Sequence, residues 1–104
     1  MTVRDRLAAL EQREAIFARD GWLCQNCLKP IRSGQPQLAH RIPQTKAMIA
    51  KWGAEIIHHP DNMASACSLY CNAALDLRGW PREVAELAYS IAKKIGRGVD
   101  NPVR

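Results

Sequence analysis

The chain has 104 residues, near the lower limit for a domain folding on its own core, and only one Phe, two Tyr and three Trp to fill that core. No stretch approaches the roughly 18 apolar residues of a membrane span, and Met1–Leu10, with Arg4, Asp5 and Arg6, has no apolar run of export-signal length. A net charge of +5 suits a polyanionic partner, so a single cytoplasmic domain with no membrane association is expected.

In chain order, Val3, Leu7, Leu10 and Phe17 recur near helical spacing between Thr2, a good N-cap, and the stop signal Asp20-Gly21. Residues 3 to about 19 are therefore expected to be helical. Trp22–Lys29 forms a cysteine turn and Pro30–Pro36 a loop containing Gly34. Gln37–Ile42 reads as a short strand ending at His40-Arg41, Thr45–Trp52 as a short helix closed by Gly53, and Glu55–His58 as extended. His59-Pro60-Asp61-Asn62 is a turn, because Pro fixes φ and Asp and Asn bond their own backbone. Met63–Cys67 gives a second strand, and Leu69 or Tyr70 to about Leu77 a helix ended near Gly79. In the last helix Pro81 takes the first position, and Val84, Leu87, Ala88, Ile91 and Ile95 form one stripe before Gly96, as in a helix that completes a core. Arg97–Arg104, with Gly98 and Pro102, is expected to be a loose basic tail. No repeat or second domain is visible.

Charge is gathered in blocks. Residues 21–54 carry Lys29, Arg32, Arg41, Lys46 and Lys51 and no acid, whereas residues 55–76 carry Glu55, Asp61 and Asp76 and no Lys or Arg. Such a pattern fits a polyanion with a cation held between protein and phosphate, and equally an ordinary solvated surface.

The four cysteines form two close pairs, Cys24-x-x-Cys27 and Cys67-x-x-x-Cys71. In a reducing compartment such spacing favours a metal over disulfides, although an even cysteine count leaves disulfides open. Two short turns can each supply two thiolates to a tetrahedral zinc ion at about 2.3 Å. A four-thiolate site is closed to water and substrate, so this zinc is expected to be structural, and its binding would add roughly 10–16 kcal/mol to folding by analogy with zinc-finger peptides.

Between and after the pairs come His40 in Leu38-Ala39-His40-Arg41-Ile42-Pro43, Asn62 in His59-Pro60-Asp61-Asn62, and Asn72 directly after Cys71. This order, led in by Ala18-Arg19-Asp20-Gly21-Trp22-Leu23-Cys24, resembles the HNH endonucleases over about Glu14–Leu77. The resemblance implies an α+β fold: a small zinc-stapled ββα-metal core with flanking N- and C-terminal helices, the latter spanning 81–95. It also implies hydrolysis, chiefly nicking, of DNA phosphodiester bonds. His40 matches the general base that takes a proton from the attacking water, and a free imidazole with a pKa near 6.5 suits that task. Asn62 matches the residue that fixes the turn and orients the base, and Asn72 the one that contacts a divalent cation (Mg²⁺, Mn²⁺, Co²⁺ or Ni²⁺). Arg41, Lys46 and Lys51 are candidate phosphate contacts. Trp52 and Trp80 are stacking candidates for which packing is the commoner role.

One position departs from the family. The acid that usually precedes the first His, and binds the cation, is here Ala39. Candidate replacements are His59, then Asp76, four residues beyond Asn72, with His58 serving if the turn is oriented otherwise. A His ligand would move metal preference from Mg²⁺ toward Mn²⁺, Co²⁺ or Ni²⁺. The alternatives are a catalytically inactive zinc-stapled nucleic-acid-binding module and a zinc-stabilised adaptor for another protein. A single site of this kind cuts one strand, so a monomer or weak dimer is expected.

Overall fold

Thr2 starts the first helix through a capping box: its side chain accepts from the Asp5 N–H, and the Asp5 carboxylate accepts from the Thr2 N–H. The computed structural model describes residues 2–31 and 36–96. The elements are α1 (Val3–Arg19), β1 (Gln37–His40), α2 (Lys46–Trp52), α3 (Ala54–Ile57), a 3₁₀ turn (Pro60–Asn62), β2 (Met63–Ala66), α4 (Leu69–Leu75) and α5 (Pro81–Lys94). The chain is thus a small α+β protein in which helices surround one two-stranded antiparallel sheet. β1 and β2 pair in the register Gln37↔Ala66 to His40↔Met63. No helix among the described residues is long and apolar enough to cross a membrane.

Two cores form. One gathers Phe17, Cys24, Ile31, Ala39, Ala64, Ala66, Cys71 and Leu75 around the hairpin and α4. The other gathers Ile42, Trp52, Ile56, Ile57 and the α5 face of Val84, Ala85, Ala88, Ile91 and Ala92. The last helix therefore packs as its apolar stripe predicts, with Leu87 and Ile95 partly buried at the edge.

Several boundaries differ from those read in the sequence. Glu55–His58 is not extended. Gly53, at φ +95°, redirects the chain, and the His58 N–H donates to the Ala54 carbonyl to close a helical turn. That turn aims both Ile56 and Ile57 into the core, each fully buried, which strand alternation on one face would not. β1 stops at His40 because the Ile42 N–H is taken by the Asn62 side chain. α4 stops at Leu75, and Asp76, with ψ 126°, leaves the helix. α1 forms as expected, but its Val3, Leu7 and Leu10 stripe is exposed, and only Ile16 and Phe17 are buried. The expected loose tail Arg97–Arg104 and residues 32–35 of the expected loop lie outside the described residues.

Candidate metal centre and adjacent cleft

The first cysteine pair sits on a knuckle. An isolated bridge joins Leu23 to Pro30, the Cys24 N–H donates to Lys29 O at 2.9 Å, and the Leu28 N–H donates to Cys24 O at 2.8 Å. The second pair straddles the step from β2 into α4. There Ser68 caps the helix by accepting from the Cys71 N–H at 3.1 Å. These turns bring all four Sγ atoms within 4.8 Å of one another, and no cysteine is in a disulfide. Cys27 and Cys67 are 3.6 Å apart, and Cys67 and Cys71 are 3.7 Å apart. A tetrahedron with 2.3 Å metal–sulfur bonds has edges of about 3.8 Å, so the donor set fits zinc.

The surroundings support thiolates. Burial raises the Cys24 thiol, but the backbone N–H groups of Cys27, Asn26 and Cys67 outweigh it and bring the pKa down to about 6. Cys71 is lowered, first by the Asn26 amide, whose Nδ2 lies 3.3 Å from its Sγ. With Cys27 beside it, Cys67 is pushed up to about 12 in the absence of metal charge. Four sulfurs crowded together share protons unequally, and a divalent ion would convert them all to thiolates.

A polar cleft of about 260 Å³ lies between the end of β1 and α4. His40, Asn72, Asp76, Arg78, Gln44 and Thr45 line it, with Leu38 and Pro43. His40 closes β1, and its Nε2 is enclosed with no hydrogen-bond partner among the described residues. The His58 ring stands edge-on, 5.9 Å away between centroids. Burial first, and the His58 charge second, lower the pKa of His40, so its imidazole is neutral at pH 7. Asp76 accepts from the Arg78 N–H at 2.8 Å, and its other oxygen is 3.7 Å from the Arg78 guanidinium.

Asn62 lies behind this cleft, fully buried. Its Oδ1 accepts from the Ile42 N–H at 2.7 Å, and its Nδ2 donates to Ile42 O at 3.1 Å and Ile57 O at 2.8 Å. The Arg41 N–H also donates to Asn62 O at 2.8 Å. The segment leaving His40 is therefore clamped by the turn that precedes β2.

The remaining candidates separate. His59 is absent from the cleft lining, because its Nδ1 accepts from the Asp61 N–H at 3.0 Å and caps the 3₁₀ turn. Asp76 is in the lining although α4 ends before it, and of the two consecutive histidines it is His58 that meets His40. Ala39 is fully buried in the hairpin core with Phe17 and Cys24. Arg41 also points elsewhere: its Nε donates to Leu75 O at 3.1 Å, and it lines a second polar cleft with Arg19, Asp61 and Lys94. Lys46 and Lys51 are exposed on α2, with the Lys51 Nζ 5.2 Å from the Trp52 ring centroid. Trp52 is buried, and Trp80, at the start of α5, is exposed. Sequence reading missed Gln44, Thr45 and Arg78, which belong to segments without a motif.

No protein-family model, curated protein or solved structure matches the chain.

Proposed function

We propose that the chain is a metal-dependent endonuclease that nicks phosphodiester bonds of DNA. One observation carries this reading: His40, from the end of β1, and Asn72 and Asp76, from α4 and its C-cap, line one cleft beside a four-cysteine cluster. A neutral His40 can accept a proton from a water molecule attacking phosphorus. The Asn72 amide oxygen and the Asp76 carboxylate are the groups that would hold a divalent cation. Such a cation supplies positive charge to the phosphate and the departing 3′ oxygen. Arg78 adds a fixed positive charge to the same wall, and exposed Lys46 and Lys51 extend it along α2. Asn62 touches no substrate; it holds the backbone from which His40 projects. Cys71 fixes its neighbour Asn72 by tying α4 to the four-thiolate staple.

Supercoiled plasmid tests the proposal, first without added metal and then with Mg²⁺, Mn²⁺, Co²⁺ or Ni²⁺. Asp76 in the cleft and His59 outside it make the donors oxygen atoms, so nicking with Mg²⁺ and Mn²⁺ is expected. A preference for Co²⁺ or Ni²⁺ would indicate an imidazole ligand instead, with His58 the nearest candidate. His40→Ala should abolish nicking while zinc content and fold persist; retained nicking would eliminate His40 as the base.

A second reading rests on Ala39 and Asp76. Ala39 offers no ligand, and the Asp76 carboxylate is engaged with Arg78. A zinc-stapled module that binds nucleic acid without cutting it predicts salt-sensitive DNA binding and no nicking with any cation.

A further inference from the structure

The polar cleft does not end at Arg78. Pro43, Thr45 and Arg78 also line a second cavity of about 410 Å³, which runs between α2 and the start of α5. Its walls are apolar, formed by Met48, Trp52, Pro81 and Val84, and its charged groups are Lys51 and Arg78. Trp52, which is buried, packs edge-on against the Tyr89 ring at 5.5 Å between centroids.

We propose that this pocket receives one unstacked nucleobase of the strand whose phosphate occupies the cleft, making unpaired or readily flipped nucleotides the preferred substrate. The inference rests on the nuclease reading for its scissile phosphate. A ligand that fits both cavities together would be apolar in one part and polar or anionic in the part joined to it. A nucleotide has that form: its base would enter between Met48 and Val84, and its phosphate would lie toward Arg78 and Lys51. The volume falls in the range of pockets that enclose small aromatic ligands. A base paired in a duplex cannot reach it without leaving the stack, which costs a few kcal/mol and least where pairing is already absent. Stacking and apolar enclosure of a base return a similar amount.

The test uses the full chain loaded with zinc. Oligonucleotides carrying one 2-aminopurine are titrated without added divalent cation, and cleavage of matched single-stranded, mismatched and fully paired substrates is then timed with Mn²⁺. Enclosure in the pocket should change 2-aminopurine fluorescence, and unpaired substrates should be cut about tenfold or more faster than paired ones. Met48→Trp fills the cavity from its wall, and Ala47→Trp fills it from the exposed mouth, where folding is not at risk. Each should slow cleavage of unpaired strands to the rate on paired ones and so remove the preference. Equal rates on paired and unpaired substrates would overturn the proposal, as would a preference that survives Ala47→Trp. If no substrate is cut with any cation, the nuclease reading fails; the pocket stands only if base binding is still seen and Ala47→Trp abolishes it.

Discussion

His40 is placed where burial and a neighbouring imidazole both oppose its protonation. Its pKa therefore lies below the usual 6.5. In a histidine titration followed by NMR, His58→Ala should raise it only part of the way, because burial, the larger cause, remains. A shift to 6.5 or above would show that His58 dominates. The sign also sets a stability effect. The unfolded chain binds this proton more readily than the folded one, so the contribution is present above pH 6.5 and is lost as pH falls through the folded value. Asn62 is the other decisive residue. Asn62→Ala would strand the Ile42 N–H, the Ile42 carbonyl and the Ile57 carbonyl in a buried place, at a cost of about 2–4 kcal/mol in urea denaturation. Asn62→Asp should be worse than Ala, since a carboxylate would face two carbonyl oxygens. A cost under about 1 kcal/mol for the Ala variant would mean that water enters the clamp. The positions of His40 and Asn72 could be read from motif order in the sequence: Asn72 follows Cys71, and His40 ends a strand. Arg78 was not legible, because its place in the cleft depends on where α4 stops and how the chain turns into α5.

Among the elements, α1 separates what helical periodicity shows from what it cannot. The spacing of Val3, Leu7, Leu10 and Phe17 marks a helix correctly, but nothing in that spacing says where the rest of the domain lies. The domain meets only the last turns, where Ile16 and Phe17 are buried and Arg19 and Asp20 reach the hairpin. The Arg19 guanidinium donates to Met63 O at 2.7 Å, and the Asp20 carboxylate accepts from the Ser65 N–H at 2.9 Å. Leu7→Gln and Leu10→Gln should therefore change stability by no more than about 0.5 kcal/mol, whereas Phe17→Ala should cost about 3–5 kcal/mol. Chemical denaturation of the three variants checks this, and a large loss in Leu7→Gln would mean that the exposed stripe is covered in solution. α3 was misread for a related reason. Four residues are too few to display a helical period, and the signal that decides the matter is the backbone of Gly53. The longer α5 has enough turns for its stripe to be unambiguous.

At the scale of the molecule, the candidate cleft lies at the seam between the two cores. His40, Asn72 and Asp76 come from the hairpin and α4 side, while Thr45 and Arg78 come from the segments leading into α2 and α5. The hairpin core is built partly from small residues, Ala39, Ala64 and Ala66, and includes two of the four cysteines. The other core has Trp52, four isoleucines and the α5 face, and no cysteine. A metal ion would therefore contribute unequally: it would hold together the side whose apolar burial is weaker, where its binding is folding free energy. Stripping it with a strong chelator, removing the chelator and then restoring Mg²⁺ or Mn²⁺ without zinc should leave nicking abolished even though no cysteine lines the cleft, because His40 and Asn72 would lose their fixed separation. Hydrogen exchange should then show β1, β2 and α4 losing protection first, while amides of α5 around Ala88 and Ile91 stay protected longer. Exchange at one common rate throughout would instead make the two cores a single cooperative unit. Chelation without loss of protection in the hairpin would mean that the four sulfurs do not hold a metal in solution.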